Sequence, residues 1–186
     1  MTPVHGIVLA GGKSSRFGTD KALAQFEGMP LIAHAVELVR SVGLEVSVIT
    51  SPGRDYSFLK CPVYFDREPF LGPLSGLDRA FELYSGARLL ALTCDMPFLK
   101  KEDLLRLLAE DGANSDAVLY RLGPDRFQPF PGIYAASLKD KIDLRGQVMR
   151  SMQFFIRKIH KVIEIDNSES RIDFRNVNKI EHLSPI

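Results

Sequence analysis

A short apolar strand followed by an amphipathic helix recurs along the first two thirds of this 186-residue chain, and this alternation strongly constrains the fold. Apolar and β-branched runs predict strands, and apolar residues at helical spacing predict helices. The predicted strands cover residues 6–10, 45–51, 61–66 and 88–95, and the predicted helices cover residues 30–43, 72–86 and 100–111. Such alternation predicts an open, mainly parallel sheet with helices on both faces.

The pattern loosens after residue 116. Two stretches predict strands interrupted by turn prolines, and a helix, a short strand and a polar tail follow. These segments are 116–123, 126–135, 145–159 and 160–166, with the tail containing "FRNVNKIEHL". We therefore expect an α/β protein, a three-layer αβα arrangement in a single domain spanning residues 1–186.

Composition excludes several classes of protein. The apolar fraction of 45% and the charged fraction of 25% are typical of a globular domain. A net charge of +1 gives no general attraction to nucleic acid or an anionic membrane, so local charges must hold any anionic ligand. No segment reaches the roughly 20 apolar residues of a membrane span, and the N-terminus has no basic leader. We expect a cytoplasmic protein, with Cys61 and Cys94 as reduced thiols and no histidine assigned to a metal.

The stretch "GIVLAGGKSSRFGTDKAL" contains the most informative motif. A P-loop would require its first glycine at Ile7, and Gly6 lies one position away, inside the strand. A dinucleotide-binding fold requires a carboxylate at the end of the second strand, where this chain has Ser51. The sequence therefore disfavours both a P-loop and a Rossmann oxidoreductase.

The remaining features of this stretch suit a phosphate-binding loop. The paired Gly11 and Gly12 let successive N–H groups face an anion. Arg16 offers a planar fork for phosphate oxygens, and Lys21 a mobile positive charge. Gly18 permits the reversal between them. A loop that follows a strand of an open parallel sheet lies at the edge where such folds bind ligands.

Acidic residues follow two later strands. Asp95 follows the fourth strand, and Mg²⁺ typically binds one or two carboxylates together with phosphates and water. Asp66 follows the third strand and has either a ligand-binding role or an ordinary strand-end role. Asp20 is interpreted as structural, pairing with Arg16 or Lys21. The helix start at 72–74 suits either a polar ligand or packing.

These motifs together resemble those of the molybdenum cofactor guanylyltransferases, which are nucleotidyltransferases of glycosyltransferase-A-like fold. The family signature L-A-G-G-x-S-x-R-M-G-x-D-K-x-L corresponds to "LAGGKSSRFGTDKAL", with Phe17 in place of Met. Asp20-Lys21 separates this group from sugar-phosphate relatives, which carry Pro-Lys there. "FDREPFLGPLSGL", "LTCDMPFL" and "FRNVNKIEHL" are similar to three further family motifs. In the last motif, Lys179, Ile180 and His182 depart from the family pattern.

The resemblance implies transfer of GMP from GTP to the phosphate of molybdenum-loaded molybdopterin, with Mg²⁺ and release of pyrophosphate. It implies a nucleotide-binding half at 1–112 and an acceptor-binding half at 113–186, with transient contacts to proteins that deliver or receive the cofactor. The implied catalytic residues are Arg16, Lys21 and Asp95, with Asp95 as the metal ligand. The implied nucleotide-binding residues are Leu9, Ala10, Gly11, Gly12, Lys21, Asp66 and Asp95, and the implied acceptor-binding residues are Asn176 and Asn178.

Three alternatives stay open at this point. The enzyme could use CTP in place of GTP, or it could transfer to a sugar phosphate. The chain could also be a nucleotide-binding module without turnover, since the last motif is altered. The sequence does not select the base, and it does not give the oligomeric state.

Overall fold

A computed structural model of the chain describes residues 2–11, 20–68, 71–112, 115–124, 126–144, 151–166 and 172–177. The strands in these ranges are β1 (Val4–Leu9), β2 (Gln25–Phe26), β3 (Met29–Pro30), β4 (Val46–Thr50), β5 (Val63–Phe65), β6 (Arg88–Thr93), β7 (Ala117–Gly123), β8 (Arg126–Ala135) and β9 (Val162–Asp166). The α-helices are α1 (Leu31–Ser41), α2 (Pro73–Leu83), α3 (Lys101–Ala109) and α4 (Met152–Ile156). Short 3₁₀ helices cover Lys21–Leu23, Ser57–Leu59 and Ala136–Lys141.

The main sheet has the strand order β5-β4-β1-β6-β8-β7-β9. β1 pairs in parallel with β4 and β6, β4 with β5, and β7 with β9, whereas β8 runs antiparallel to both of its neighbours. The prediction of a mainly parallel sheet is confirmed. β2 and β3 form a separate small hairpin that the sequence analysis did not identify.

Helices cover both faces of the sheet, because side chains along each strand alternate between the faces. Ile7 and Leu9 belong to the core on the side of α2 and α4. Val8, between them, belongs to the core on the side of α1 and α3. Each fully buried side chain of this size stabilises the fold by about 1.5–3 kcal/mol. The three-layer arrangement is thus confirmed, and its two cores hold the sheet in place.

The strand order reverses at β1. From β1 the chain adds β4 and then β5 on one side, and α2 then returns it to β6 on the other side. This reversal creates a crevice at the carboxyl ends of β1 and β6, where open α/β sheets bind ligands. Among the described residues, none of the helices is long and apolar enough to cross a membrane.

The start of α2 depends on two glycines. Gly72, the residue before the helix, has a φ of +93°, which disfavours other residue types. A Cβ on Gly76 would lie 3.0 Å from Leu9 Cδ2, so this glycine lets α2 pack closely against β1. The predicted helix start at Gly72-Pro73 is confirmed, and packing accounts for Gly76.

The structure corrects the expectation for β8. The prolines at 129 and 131 do not interrupt the strand, which runs without a break from Arg126 to Ala135. They lie in a bulge, because Leu119 pairs with Gly132 whereas the next residue, Tyr120, pairs with Gln128. Proline has no N–H to donate to a ladder, and a bulge is where a strand can tolerate it. Of the helix expected at 145–159, residues 145–150 lie outside the described residues, and α4 covers five residues of the rest.

Candidate functional site

A cleft of about 620 Å³ opens at the carboxyl ends of β1 and β6. Its walls come from the end of β1, the turn at 20–22, the segment after β6, the bulge of β8, the start of α4 and the C-terminal segment. The lining residues are Leu9, Ala10, Gly11, Asp20, Lys21, Ala22, Pro73, Thr93, Cys94, Asp95, Met96, Gln128, Pro129, Phe130, Ser151, Met152, Gln153 and Asn176.

Lys21 and Asp95 form an ion pair in this cleft. Lys21 Nζ lies 2.8 Å from Asp95 Oδ2, and the two side chains are 20% and 19% exposed. A partly buried pair is screened less by salt than a surface pair, so the attraction between these two charges persists at physiological salt. The structure therefore brings together the lysine and the acid that the sequence analysis singled out.

Two hydrogen bonds fix the position of Asp95. The hydroxyl of Thr93 donates to Asp95 Oδ1 over 2.6 Å. The main-chain N–H of Val177 donates to the carbonyl oxygen of Asp95 over 2.8 Å. Val177 is fully buried against Phe26 and Leu31, so the C-terminal segment is held against the residue that carries the carboxylate. The neighbouring Asn176 lines the cleft.

Cys94 lies between Thr93 and Asp95 in the chain but offers no reactive thiolate. Its side chain is buried, and burial raises the pKa of its thiol to about 12. A neutral thiol at physiological pH is neither a nucleophile nor a metal ligand of the usual kind. The expectation of an inert, reduced cysteine agrees with this environment.

Lys21 begins the 3₁₀ turn at Lys21–Leu23, and Asp20 caps that turn. Asp20 Oδ1 accepts a hydrogen bond from the N–H of Ala22 over 3.1 Å. The sequence analysis suggested Arg16 or Lys21 as the partner of Asp20. Among the described residues, its carboxylate pairs with Arg54 and Tyr56, which follow β4. Lys21 pairs with Asp95, and Arg16 lies outside the described residues.

The end of β1 forms one wall of the cleft. The N–H of Ala10 donates to the carbonyl oxygen of Ile49, and its own carbonyl accepts from the hydroxyl of Thr50 over 3.2 Å. Leu9, Ala10 and Gly11, three of the residues implied to bind nucleotide, all line the cleft. Gly12, Arg16 and Asn178, also named from the sequence, lie outside the described residues.

Asp66 lies at the end of β5, apart from the residues that line the cleft. It is only 9% exposed, and its Oδ1 accepts from the Ser75 hydroxyl over 2.6 Å and from the N–H of Glu68 over 3.1 Å. Burial raises the pKa of this carboxyl, although both hydrogen bonds oppose the shift. The visible role of Asp66 is to join the end of β5 to the start of α2.

Part of the cleft lining was not identified from the sequence. It includes Gln128, which directly precedes the bulge of β8, and Gln153 from α4. Each amide nitrogen donates to a main-chain carbonyl of β8, Gln128 to Phe130 over 2.6 Å and Gln153 to Phe127 over 2.9 Å. Two prolines close together inside a strand pattern, Pro129 and Pro131, were the available sign of a bulge, a feature common beside active sites.

The donor set suits a cation whose other ligands come from phosphates and water. Among the residues that the structure describes, no group of three or more acidic, histidine or cysteine side chains could enclose a metal. Asp95 is a single carboxylate facing a cleft, and Mg²⁺ characteristically binds one or two carboxylates and keeps substrate phosphates and water as its remaining ligands. The cleft therefore fits Mg²⁺ arriving with a polyphosphate.

Comparisons with known proteins agree with this architecture. The model of the MobA-like NTP transferase domain matches residues 6–162. A Geobacillus protein named "Probable molybdenum cofactor guanylyltransferase" is 33% identical over 191 residues, covering 96% of this chain and 95% of that protein. A protein of the same name from Carboxydothermus hydrogenoformans is 36% identical over 131 residues, covering 70% of this chain and 65% of its own length.

A solved structure of an Aquifex aeolicus protein superposes with a TM-score of 0.74 at 28% identity, covering 94% of this chain and 93% of that one. These three findings agree with one another: the family model matches most of the chain, the relatives carry the same name, and the solved structure superposes over nearly the whole chain. They also agree with a cleft at the carboxyl edge of a mainly parallel sheet. The chain therefore belongs to the family of MobA-like NTP transferase domains, with molybdenum cofactor guanylyltransferases among its relatives, and it is a nucleotidyltransferase.

Proposed function

We propose that the protein transfers GMP from GTP to the terminal phosphate of molybdenum-loaded molybdopterin and releases pyrophosphate. The observation that carries the proposal is the Lys21–Asp95 pair, 2.8 Å apart in the lining of a cleft at the switch point of the sheet. The names of the relatives supply the acceptor and the base, since both are called molybdenum cofactor guanylyltransferases.

The reaction forms a bond between an acceptor phosphate oxygen and the α-phosphorus of GTP, and it breaks the bond between the α- and β-phosphates. The acceptor oxygen is already an anion, so no strong general base is required. The difficulty is charge, because two anions must meet and the leaving pyrophosphate gains negative charge. Positioning and electrostatic stabilisation carry phosphoryl transfers of this type.

Lys21 and the N–H groups of the glycine loop neutralise the phosphates in this proposal, and Arg16 adds a second cation. Asp95 would hold Mg²⁺, which would supply Lewis-acid stabilisation of the phosphate oxygens. Thr93 keeps the Asp95 carboxylate turned into the cleft through its 2.6 Å hydrogen bond. Groups that are held in position before the reaction accelerate it, because little reorganisation is needed in the transition state.

We assign the remaining residues in the same way. Leu9, Ala10, Gly11 and Gly12 form the nucleotide side of the cleft, and we retain Asp66 as a nucleotide contact reached from the end of β5. Asn176 and Asn178 bind the acceptor. The proposal also keeps a cytoplasmic location and transient contacts with proteins that deliver or receive the cofactor.

Incubation with Mg²⁺, molybdenum-loaded molybdopterin and each nucleoside triphosphate separately tests the proposal, with pyrophosphate as the measured product. Pyrophosphate release with GTP, and with none of the other nucleoside triphosphates, supports the proposal. Product with CTP alone would transfer the assignment to a cytidylyl enzyme. Tight GTP binding without pyrophosphate release would indicate a binding module, and turnover with a sugar phosphate in place of the pterin would identify a different acceptor class.

A further inference from the structure

The carboxylate of Asp20 is bound by donors from two parts of the chain. Its Oδ1 accepts from the N–H of Ala22, inside the turn that contains Lys21. Its Oδ2 accepts from the hydroxyl of Tyr56 over 2.7 Å and lies 3.1 Å from Arg54 Nη1. The Asp20 side chain is 11% exposed, so these contacts replace most of its hydration. The loop after β4 therefore binds, through Asp20, the turn that begins with Lys21.

The Tyr56 side chain is held rigidly, so it fixes the position of the Asp20 carboxylate. Its side chain is 1% exposed and packs in the core formed with α1 and α3. Burial is the main cause that raises the pKa of Tyr56 above its ordinary value, followed by its bond to Asp20. The hydroxyl consequently remains a donor throughout the physiological pH range. A buried ring has little rotamer freedom, so the position of its hydroxyl is fixed by the fold.

The occupied carboxylate of Asp20 has a consequence for Lys21. A lysine next to an aspartate in the chain could pair with it, and Lys21 would then turn away from the cleft. Both oxygens of Asp20 already accept from other donors, whereas Lys21 Nζ lies 2.8 Å from Asp95. Positive and negative charges alternate along the series Arg54, Asp20, Lys21 and Asp95. This alternation favours the observed pairing of Arg54 with Asp20 and of Lys21 with Asp95.

We infer that Tyr56 and Arg54 are positioning residues that act on catalysis through Asp20, by fixing the turn from which Lys21 reaches the Asp95 side of the cleft. The inference rests on the proposed role of Lys21. Among the described residues, Asp20 lines the cleft whereas Tyr56 and Arg54 do not, so we expect them to act on the reaction through Asp20.

Tyr56→Phe tests the inference, with Tyr120→Phe as the matched control. Tyr120 is fully buried, and its hydroxyl donates over 2.7 Å to the carbonyl oxygen of Asp103, outside the cleft. Each variant keeps its ring and loses one buried hydroxyl. We expect the melting temperature to fall by a similar amount in both variants. Only Tyr56→Phe should lower kcat, by on the order of 10- to 100-fold, with a much smaller change in KM for GTP.

A second measurement separates positioning from an independent effect. In a Lys21→Ala background, adding Tyr56→Phe should cost no further activity, because residues that act as one unit are not additive. Arg54→Met should lower kcat in the same direction, and Arg54→Lys should restore part of it by keeping the positive charge. Arg54 is 29% exposed, so its variants are expected to fold even if a Tyr56 variant does not.

Two results would overturn the inference. One is a kcat for Tyr56→Phe that equals that of Tyr120→Phe while Lys21→Ala is slow. The other is a fall in activity on adding Tyr56→Phe to Lys21→Ala that is as large as the fall caused by Tyr56→Phe in the unmodified protein. Failure of the proposed function looks different, because the unmodified enzyme would then release no pyrophosphate from GTP with the molybdopterin acceptor.

Discussion

Lys21 Nζ and Asp95 Oδ2 lie 2.8 Å apart, although 74 positions separate the two residues in the chain. The register of the sheet accounts for this proximity, since Leu9 at the end of β1 is paired with Thr93 at the end of β6. Each residue follows one of these two strands, on the same edge of the sheet. The pair thus depends on β1 and β6 being neighbours.

Removing either charge of this pair should slow the reaction strongly. We expect Lys21→Ala and Asp95→Asn each to lower the rate of pyrophosphate release by about 10²-fold or more, the size found when one electrostatic stabiliser is removed. Lys101→Ala, which removes an exposed charge at the start of α3, serves as the control and should retain full turnover. Near-normal rates for both cleft variants would refute their assigned roles.

Asn176→Ala tests the acceptor side of the cleft. Asn176 lines the cleft and precedes Val177, whose N–H bonds to Asp95. If the amide binds the acceptor, its removal should raise KM for the molybdopterin substrate by about tenfold, as expected for a lost hydrogen bond to a charged group. GTP binding, measured by calorimetry, should stay unchanged. A change in GTP affinity with an unaltered acceptor KM would reverse the assignment.

A buried ion pair at the other end of β6 should matter for stability. Arg88 Nε donates to Asp111 Oδ2 over 2.9 Å, and its Nη1 donates to the carbonyl oxygen of Ser115. The two charged side chains are 8% and 9% exposed. Asp111→Leu should lower the free energy of unfolding in urea by about 3–5 kcal/mol, because it leaves the Arg88 charge buried without its partner.

Two controls accompany the Asp111 variant. Glu164→Gln breaks an exposed ion pair with Arg121, and it should cost less than about 1 kcal/mol. The double variant Arg88→Met/Asp111→Leu should recover much of the lost stability, since it removes both buried charges. Equal, small losses for Asp111→Leu and Glu164→Gln would show that burial adds nothing to the first pair.

His5 should make stability depend on pH. Its ring stacks on Tyr84 with centroids 3.9 Å apart and hydrogen-bonds Ser47. Burial lowers the pKa of His5 below its ordinary value of 6.5, and the charge of Glu45 opposes this in part. The unfolded chain therefore takes up this proton first, so the free energy of unfolding should fall as the pH drops below about 6.5.

Urea unfolding between pH 5 and pH 8 measures this effect. His5→Gln should flatten the pH dependence below 6.5, because glutamine does not titrate. The exposed His160 provides the control, and His160→Gln should leave the curve as steep as in the unmodified protein. If His5→Gln and the unmodified protein show the same slope, the buried histidine does not contribute to it.

Much of the fold and part of the cleft followed from local patterns. Apolar runs and helical spacing located the main strands and helices to within a few residues, and the motifs singled out Lys21 and Asp95. The hairpin of β2 and β3 was missed, because strands of two residues carry no periodicity. The bulge at 129–131 was interpreted as a break, because a proline in a strand is a warning that only the partner strand can resolve.

The sequence alone determined the layers and the family, and it supplied the motif that we propose binds phosphate, since these depend on which residue types occur at which spacing. The tertiary structure alone decided which strand ends meet, which residues line the cleft together with Lys21, and that Asp20 is held by Tyr56 and Arg54. The reason is physical. Periodicity and chain direction are local properties, whereas a contact between distant residues depends on strand order and packing across the whole sheet.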